Sequence, residues 1–268
     1  MDLFQAAHRC LKAPTVDAKL ALTHATGDAF RRGALSLDAQ SPPEPIGEPG
    51  RPGRPRLVSP RALPQRGLGT EIGRAGFVHA IAHIEFNAIN LAWDAVYRFR
   101  DMPAAFYADW VAVAVDEARH FRLLDERLAQ LGYRYGDFDG HDGLWQMTLK
   151  TAHCCRTRMA LVPRVLEARG LDVTPGMIDK LAGLGDTATV KILETILREE
   201  VAHVAAGTRW FEWCCRRDGI APEAEFVRLI TEHAQGAIRG PFNHQARRAA
   251  GFGDGEMAAL TLFADSRR

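Results

Sequence analysis

Four segments of about 30 residues each have the pattern of long helices and leave little of the chain for any other structure. Pro103 opens the second segment, and a glycine follows the second, third and fourth. Alternating β-branched runs typical of strands are nearly absent. Helices of this length span about 45 Å, which suits an antiparallel bundle. The sequence therefore predicts an all-α fold with a four-helix bundle; its helices span about 70–100, 103–131, 142–169 and 186–217.

A proline-rich segment separates this bundle from the N-terminus. Residues 41–64 contain eight prolines, a density that cannot sustain a helix, so we expect an extended connector. Before it, residues 15–33 are predicted to be helical. We accordingly divide the chain into an N-terminal helical arm with its connector, 1–66, and the bundle, 67–268. Shorter helices are predicted at about 175–182, 222–236 and 254–263.

The composition is that of an ordinary globular protein. A formal charge of +1 gives no global field for nucleic acid. No apolar run approaches the roughly 18 residues of a membrane span, and no signal peptide is visible. The five cysteines include no Cys-x-x-Cys and are predicted to be free thiols in a reducing compartment. These features predict a cytoplasmic protein without a membrane partner.

Two of the long helices contain the motif Glu-x-x-His. Glu117 and His120 belong to the second helix, Glu200 and His203 to the fourth. Residues three apart share a helix face, so each pair can present a carboxylate and an imidazole to one point. Apolar residues at helical spacing surround both pairs, which predicts that both faces point inward. The preceding Asp116 and Glu199 lie off this face, and positions in solvent or in support of the ligands are expected for them.

Each of the other two helices offers a glutamate at matched spacing. The separation of Glu85 from Glu117 along the chain nearly equals that of Glu167 from Glu200. One Glu from each of two helices and Glu-x-x-His from the other two is the ligand set of dinuclear carboxylate bundles. Oxygen and imidazole donors favour iron, with manganese as the alternative. A different interpretation is that these residues form buried salt bridges and hydrogen-bonded core histidines. The predicted ligands of two iron ions, which are also the predicted catalytic residues, are Glu85, Glu117, His120, Glu167, Glu200 and His203.

The chain contains the motifs His-Ile-Glu at 83–85, Phe-Tyr-Ala-Asp-Trp at 106–110, Glu-Ala-Arg-His-Phe at 117–121, Arg-Met-Ala-Leu-Val-Pro-Arg-Val-Leu-Glu-Ala-Arg-Gly-Leu-Asp at 158–172 and Glu-Val-Ala-His-Val at 200–204. With these motifs it resembles the ferritin-like domain family of uncharacterised bacterial proteins. The resemblance covers most of residues 10 to about 235 and implies a ferritin-like bundle with a dinuclear metal site, but no substrate. A more distant resemblance, at the level of the fold, is to the bacterial tRNA hydroxylase that oxidises a modified adenosine with di-iron.

Other histidines and a tyrosine are weaker candidates. His79 and His83 precede Glu85 by six and two residues, and packing or support of the ligands is expected for them. His153 is predicted to share a helix face with Glu167 but to lie about 21 Å away along the helix. Tyr97 is too far from Glu85 for direct ligation.

The sequence therefore predicts an oxygen-activating di-iron oxidoreductase of the hydroxylase type. Its partners would be dioxygen, an electron donor and a small-molecule or modified-nucleoside substrate, and a homodimer is left open. The alternatives are iron binding or ferroxidase activity without an organic substrate, and a metal-stabilised scaffold for another protein. The N-terminal arm and the extra C-terminal helices argue against a ferritin cage.

Overall fold

The computed structural model of the chain describes residues 1–38, 41–234, 236 and 238–265. These residues form α-helices and no β-strand, which confirms the prediction of an all-α fold. No helix among them is long and apolar enough to cross a membrane. The helices are α1 Leu3–Lys12, α2 Val16–Arg31, α3 Glu71–Arg98, α4 Ala104–Gln130, α5 Gly143–Lys150, α6 Cys155–Leu161, α7 Ala168–Gly183, α8 Thr187–Arg217, α9 Pro222–His233, α10 His244–Ala249 and α11 Asp254–Asp265, with a 3-10 turn at Pro60–Ala62 and a π-helical segment at Val162–Glu167.

The chain divides into two compact units, Met1–Leu149 and Lys150–Arg268. In the first unit α3 and α4 form a hairpin, and the N-terminal helices α1 and α2 pack against it. Buried hydrogen bonds join these helices, such as that from Trp93 Nε1 on α3 to Thr23 Oγ1 on α2 at 2.9 Å. Whether residues 1–66 form a folding unit apart from 67–268, as the sequence suggests, stays a prediction.

The proline-rich connector is extended, as predicted, apart from its short 3-10 turn. It lies along the first unit, where several hydrogen bonds hold it. Trp145 Nε1 donates to the Gly47 carbonyl at 2.7 Å. The Val58 N–H donates to the Gly140 carbonyl, and the Gly140 N–H donates to the Arg56 carbonyl. The connector thereby covers part of this unit although it cannot form a helix itself.

In the second unit the α6–α7 region and α8 form another hairpin, joined by Leu184–Asp186, and α9 to α11 complete the unit. Asp186 caps α8 as predicted, since its side chain accepts a hydrogen bond from the Thr189 N–H. The pieces predicted at 222–236 and 254–263 correspond to α9 and α11, whereas α1 and α10 were not predicted.

The prediction of one continuous helix over 142–169 was wrong in two ways. The helix is broken at residues 151–154, where the Thr151 hydroxyl accepts a hydrogen bond from Arg158 Nε at 2.6 Å. Farther on, the chain does not end its helix at Gly170 but continues to Gly183, so the predicted separate helix at 175–182 is the end of α7. The packing of α7 on α8 thus outweighs the roughly 1 kcal/mol helix penalty of one glycine.

Candidate metal centre

The α3–α4 hairpin brings three of the predicted ligands together. Glu85 lies as far before the end of α3 as Glu117 lies after the start of α4, so the hairpin sets them at the same level. His120 follows Glu117 by one turn. His120 Nδ1 lies 3.4 Å from Glu85 Oε2 and 3.5 Å from Glu117 Oε2. One ligand atom from each of the three residues lies within 4.8 Å of the others, so this group could hold a metal ion.

All three side chains are buried. Glu85 is 4% exposed, Glu117 1% and His120 0%. The aromatic neighbours Phe86 and Phe121 pack edge-to-face with ring centroids 5.6 Å apart. The burial of the three side chains keeps bulk water from them, which strengthens every electrostatic interaction within the group.

Burial and crowding set the protonation of this group. Burial raises the pKa of Glu85 well above its usual range, and the negative charge of Glu117 raises it further. Burial by itself lowers the pKa of His120, but hydrogen bonds and charges from Glu117 and Glu85 raise it to about 11. Two carboxylates that share a buried space thus favour a positive charge between them. A metal cation supplies that charge as well as a proton does.

The second unit carries the other Glu-x-x-His pair on α8. His203 is buried, and its Nδ1 lies 3.3 Å from Oε1 of the less buried Glu200. As predicted, the two side chains share one face of the helix. They form a second carboxylate–imidazole pair with the same order and spacing as the first.

Glu167 ends the π-helical segment and is level with this pair along the hairpin. It lies as far before the end of α7 as His203 lies after the start of α8. Two neighbouring contacts agree with this register: Pro163 lies against Gly207, and Arg164 Nε donates to Thr208 Oγ1 at 3.2 Å. Each unit therefore holds one predicted glutamate and one Glu-x-x-His pair. That all six residues surround one centre stays a prediction.

His79 and His83 make hydrogen bonds within the first unit. The Gly136 N–H donates to His79 Nε2 at 3.0 Å. His83 Nδ1 lies 2.8 Å from the Tyr135 hydroxyl, and its Nε2 lies 3.0 Å from the His141 carbonyl oxygen. These bonds fasten the segment that follows α4 to α3, in line with the expected packing role.

The structure differs from the sequence prediction for His153 and shows a buried arginine, Arg164, close to Glu167 in the chain. His153 does not share a helix with Glu167, because it lies in the break between α5 and α6. Arg164 was not recognised as important, although it is almost fully buried. Its position three residues before Glu167, next to a proline within a helical pattern, was the available signal.

Comparisons with known proteins give a family but no activity. A family model described as "Protein of unknown function (DUF455)" matches residues 12–258. A Haemophilus influenzae protein described as "Uncharacterized protein" is 46% identical over 213 residues, which are 77% of this chain and 74% of that protein. No solved structure matches the chain. The family match extends across both units and includes all six predicted ligands.

Proposed function

This chain belongs to the family described as "Protein of unknown function (DUF455)", and from its own residues we propose that it is a ferritin-like dinuclear iron protein that oxidises an organic substrate with dioxygen. The observation that carries the proposal is the buried group of Glu85, Glu117 and His120, whose ligand atoms lie within 4.8 Å of one another. Carboxylate and imidazole donors of this kind suit iron or manganese better than metals that prefer thiolates.

The cost of burying the carboxylates supports a cation at this position. An ionised carboxylate taken out of water costs several kcal/mol unless a positive charge compensates it. The raised pKa of Glu85, caused by burial and by the charge of Glu117, is the sign of that cost. A divalent ion bound by both carboxylates and by neutral His120 would offset it and would release protons on binding.

The second half of the proposed site comes from Glu167, Glu200 and His203. In both hairpins a glutamate on one helix is level with a Glu-x-x-His pair on the next. This repetition supports the proposal that the two sets serve one dinuclear centre in a ferritin-like bundle, as in other proteins with this ligand set.

The chain would contribute binding and exclusion of water. Glu85, Glu117 and His120 would fix one end of the centre, and the apolar surroundings would keep bulk water from it. Bound iron would supply the electrons that reduce dioxygen.

Metal content tests the ligand set directly. We would purify the protein without chelators, load it anaerobically with Fe²⁺ and measure iron per chain by elemental analysis. The expected result is two irons per chain, and nearly complete loss of iron in the double variant Glu117→Gln/Glu200→Gln. The matched control is Asp116→Asn/Glu199→Gln, one residue away on the same helices, where both carboxylates are half-buried. Equal iron in the two double variants would show that the ligand assignment is wrong.

Reaction with oxygen separates the enzyme from its alternatives. Mixing the ferrous protein with oxygen should give a transient absorption band and the oxidation of two irons per chain, with further turnover only when an electron donor is added. Continued oxidation of many irons per chain, together with a 12- or 24-subunit assembly on size exclusion, would favour iron storage. Failure to bind iron even after anaerobic loading would overturn the oxidase proposal and favour a structural role for the six residues.

A further inference from the structure

The helix that carries Glu167 is wound differently from its neighbours. Residues Val162–Glu167 form a π-helical segment between α6 and α7. A π-helical turn is rare within α-helices and is found frequently at functional sites. Pro163 removes one backbone donor within it. Such a segment needs tertiary contacts to hold it, and the second unit supplies two.

The first contact is the close approach of Pro163 to Gly207 on α8. A Cβ atom at Gly207 would lie 2.4 Å from Cγ and 2.5 Å from Cβ of Pro163. Only a residue without a side chain therefore allows the segment to come this close. Gly207 lies one helical turn after His203 on the same face of α8, so this approach occurs next to the Glu-x-x-His pair.

The second contact is the burial of Arg164, which is 1% exposed. Its Nη2 donates to Glu256 Oε2 on α11 at 2.6 Å, and its Nε donates to Thr208 Oγ1 on α8 at 3.2 Å. Glu256 is itself fixed, because the Gly253 N–H donates to the same Oε2. Three phenylalanine rings surround the guanidinium with centroid distances of 4.3 to 4.9 Å: Phe211, Phe226 and Phe252.

We propose that Arg164 is a positioning residue for Glu167: its bonds to Glu256 and Thr208 hold the π-helical segment against Gly207 and so direct the Glu167 carboxylate to the metal. The inference rests on the proposed function, since it takes Glu167 as a ligand. Glu167 follows Arg164 by three residues in the same segment, so a rotation of the segment that frees Arg164 also moves Glu167. Lysine cannot replace Arg164, because a single ammonium nitrogen cannot take the place of the two separate donors Nε and Nη2, which reach Thr208 and Glu256 from a planar guanidinium.

A second buried arginine provides a matched control. Arg247 on α10 makes a bidentate pair with Asp172 on α7, at 2.9 and 2.7 Å, and it also packs over Phe252. Both arginines fasten the C-terminal helices of the second unit and both are nearly fully buried. Asp172, however, lies five residues beyond Glu167 and outside the π-helical segment. Loss of the Arg247 pair should therefore weaken the unit without moving Glu167.

The experiment compares Arg164→Lys with Arg247→Lys in the full-length protein, with Co²⁺ as the probe. We would measure Co²⁺ affinity, the visible absorption spectrum of bound Co²⁺ and the urea midpoint of each metal-free variant. Arg164→Lys should weaken Co²⁺ binding about tenfold, the scale seen when a residue supporting a metal ligand is lost, and should change the spectrum. Arg247→Lys should lower the urea midpoint by a similar amount but leave affinity and spectrum unchanged.

Three further variants make the outcome decisive. If Arg164→Lys does not fold, Glu256→Gln with Asp172→Asn as its control repeats the comparison with smaller changes. Wild-type affinity and spectrum in the folded Arg164 or Glu256 variant would overturn the inference. Glu167→Gln distinguishes a failure of the positioning role of Arg164 from a failure of the proposed function. If Glu167→Gln also leaves Co²⁺ binding unchanged, Glu167 is not a ligand and the six-residue set is wrong; if it weakens binding, only the positioning role has failed.

Discussion

Substitution of Gly207 by alanine gives a sharp test of the hairpin packing in the second unit. Alanine is normally the better residue in a helix interior, by about 1 kcal/mol relative to glycine. Gly207 lies in the middle of the long helix α8, so helix propensity alone predicts that the substitution stabilises the protein. We expect the opposite, because the new methyl group has no room.

The size of the effect follows from the distances. A Cβ at position 207 would lie 2.4 and 2.5 Å from two carbon atoms of Pro163, whereas carbon atoms pack at about 3.5–4.0 Å. The proline ring cannot rotate away, so the π-helical segment would have to retreat by about 1 Å. Overpacking of this kind costs about 1–3 kcal/mol. We take the upper end of that range, about 3 kcal/mol, and subtract the gain in helix propensity of about 1 kcal/mol. The expected net loss is about 2 kcal/mol in the free energy of unfolding.

Urea unfolding followed by circular dichroism measures this loss. The matched control is Gly176→Ala in α7, where a Cβ would meet nothing within 4 Å. That variant should gain up to about 1 kcal/mol from propensity and reduced freedom of the unfolded chain. Relative to the wild type, Gly207→Ala should lower the free energy of unfolding and Gly176→Ala should raise it, so the two variants should differ by about 3 kcal/mol. If Gly207→Ala is as stable as the wild type while Gly176→Ala gains stability, the close contact between Pro163 and α8 is not a constraint and the reasoning is refuted.

Two buried bases in the first unit should each make stability rise with pH, in two different pH ranges. Burial, with a smaller effect of the charge of His83, lowers the pKa of His79 from 6.5 to about 4. As the pH falls, the unfolded chain therefore binds the proton before the folded chain does. Stability should fall by about 2.5 kcal/mol from pH 6.5 to pH 4. His79→Gln should remove this part of the acid sensitivity in urea titrations, and an unchanged pH profile would contradict the assignment. Burial lowers the pKa of Lys19 from 10.5 to about 7. Stability should therefore rise by about 3 kcal/mol from pH 7 to pH 10, where the unfolded chain still holds the proton that the folded chain has lost. Lys19→Met should be less stable overall, since the Nζ bonds to the Cys10 and Leu11 carbonyls and to Asn90 are lost, but its stability should lack that rise.

The ends of the long helices could be predicted because local chemistry determines them. Thr70 and Asp186 accept hydrogen bonds from the first turns of α3 and α8, and Pro103 and Gly132 flank α4. Each of these signals acts within a few residues, so it is visible in the sequence. The helix pattern also indicated the inward faces of Glu85, Glu117 and His120, since three- and four-residue spacing fixes which side chains share a face.

The region from 142 to 183 could not be predicted by the same means. Gly170 and Pro175 are helix-breaking residues, yet α7 passes through both. The contacts that hold this region come from distant parts of the chain, such as the bond from Arg164 in the π-helical segment to Glu256, 92 residues later. Nothing local pairs these two residues. Propensity therefore failed where packing against α8 and α11 decides the structure.

The spacing that identified the candidate ligands has a simple origin in hairpin geometry. When two antiparallel helices meet at a short link, residues equally far from the link lie level with each other. Glu85 and Glu117 are equally far from the two ends of the link Phe99–Pro103, and Glu167 and His203 are equally far from those of the link Leu184–Asp186. A metal site midway along a hairpin of long helices therefore has its two glutamates about one helix length apart in the sequence, as Glu85 and Glu117 are. A chance pair of Glu-x-x-His motifs has no reason to keep this spacing, and the first hairpin shows that the spacing does bring the ligand atoms within 4.8 Å.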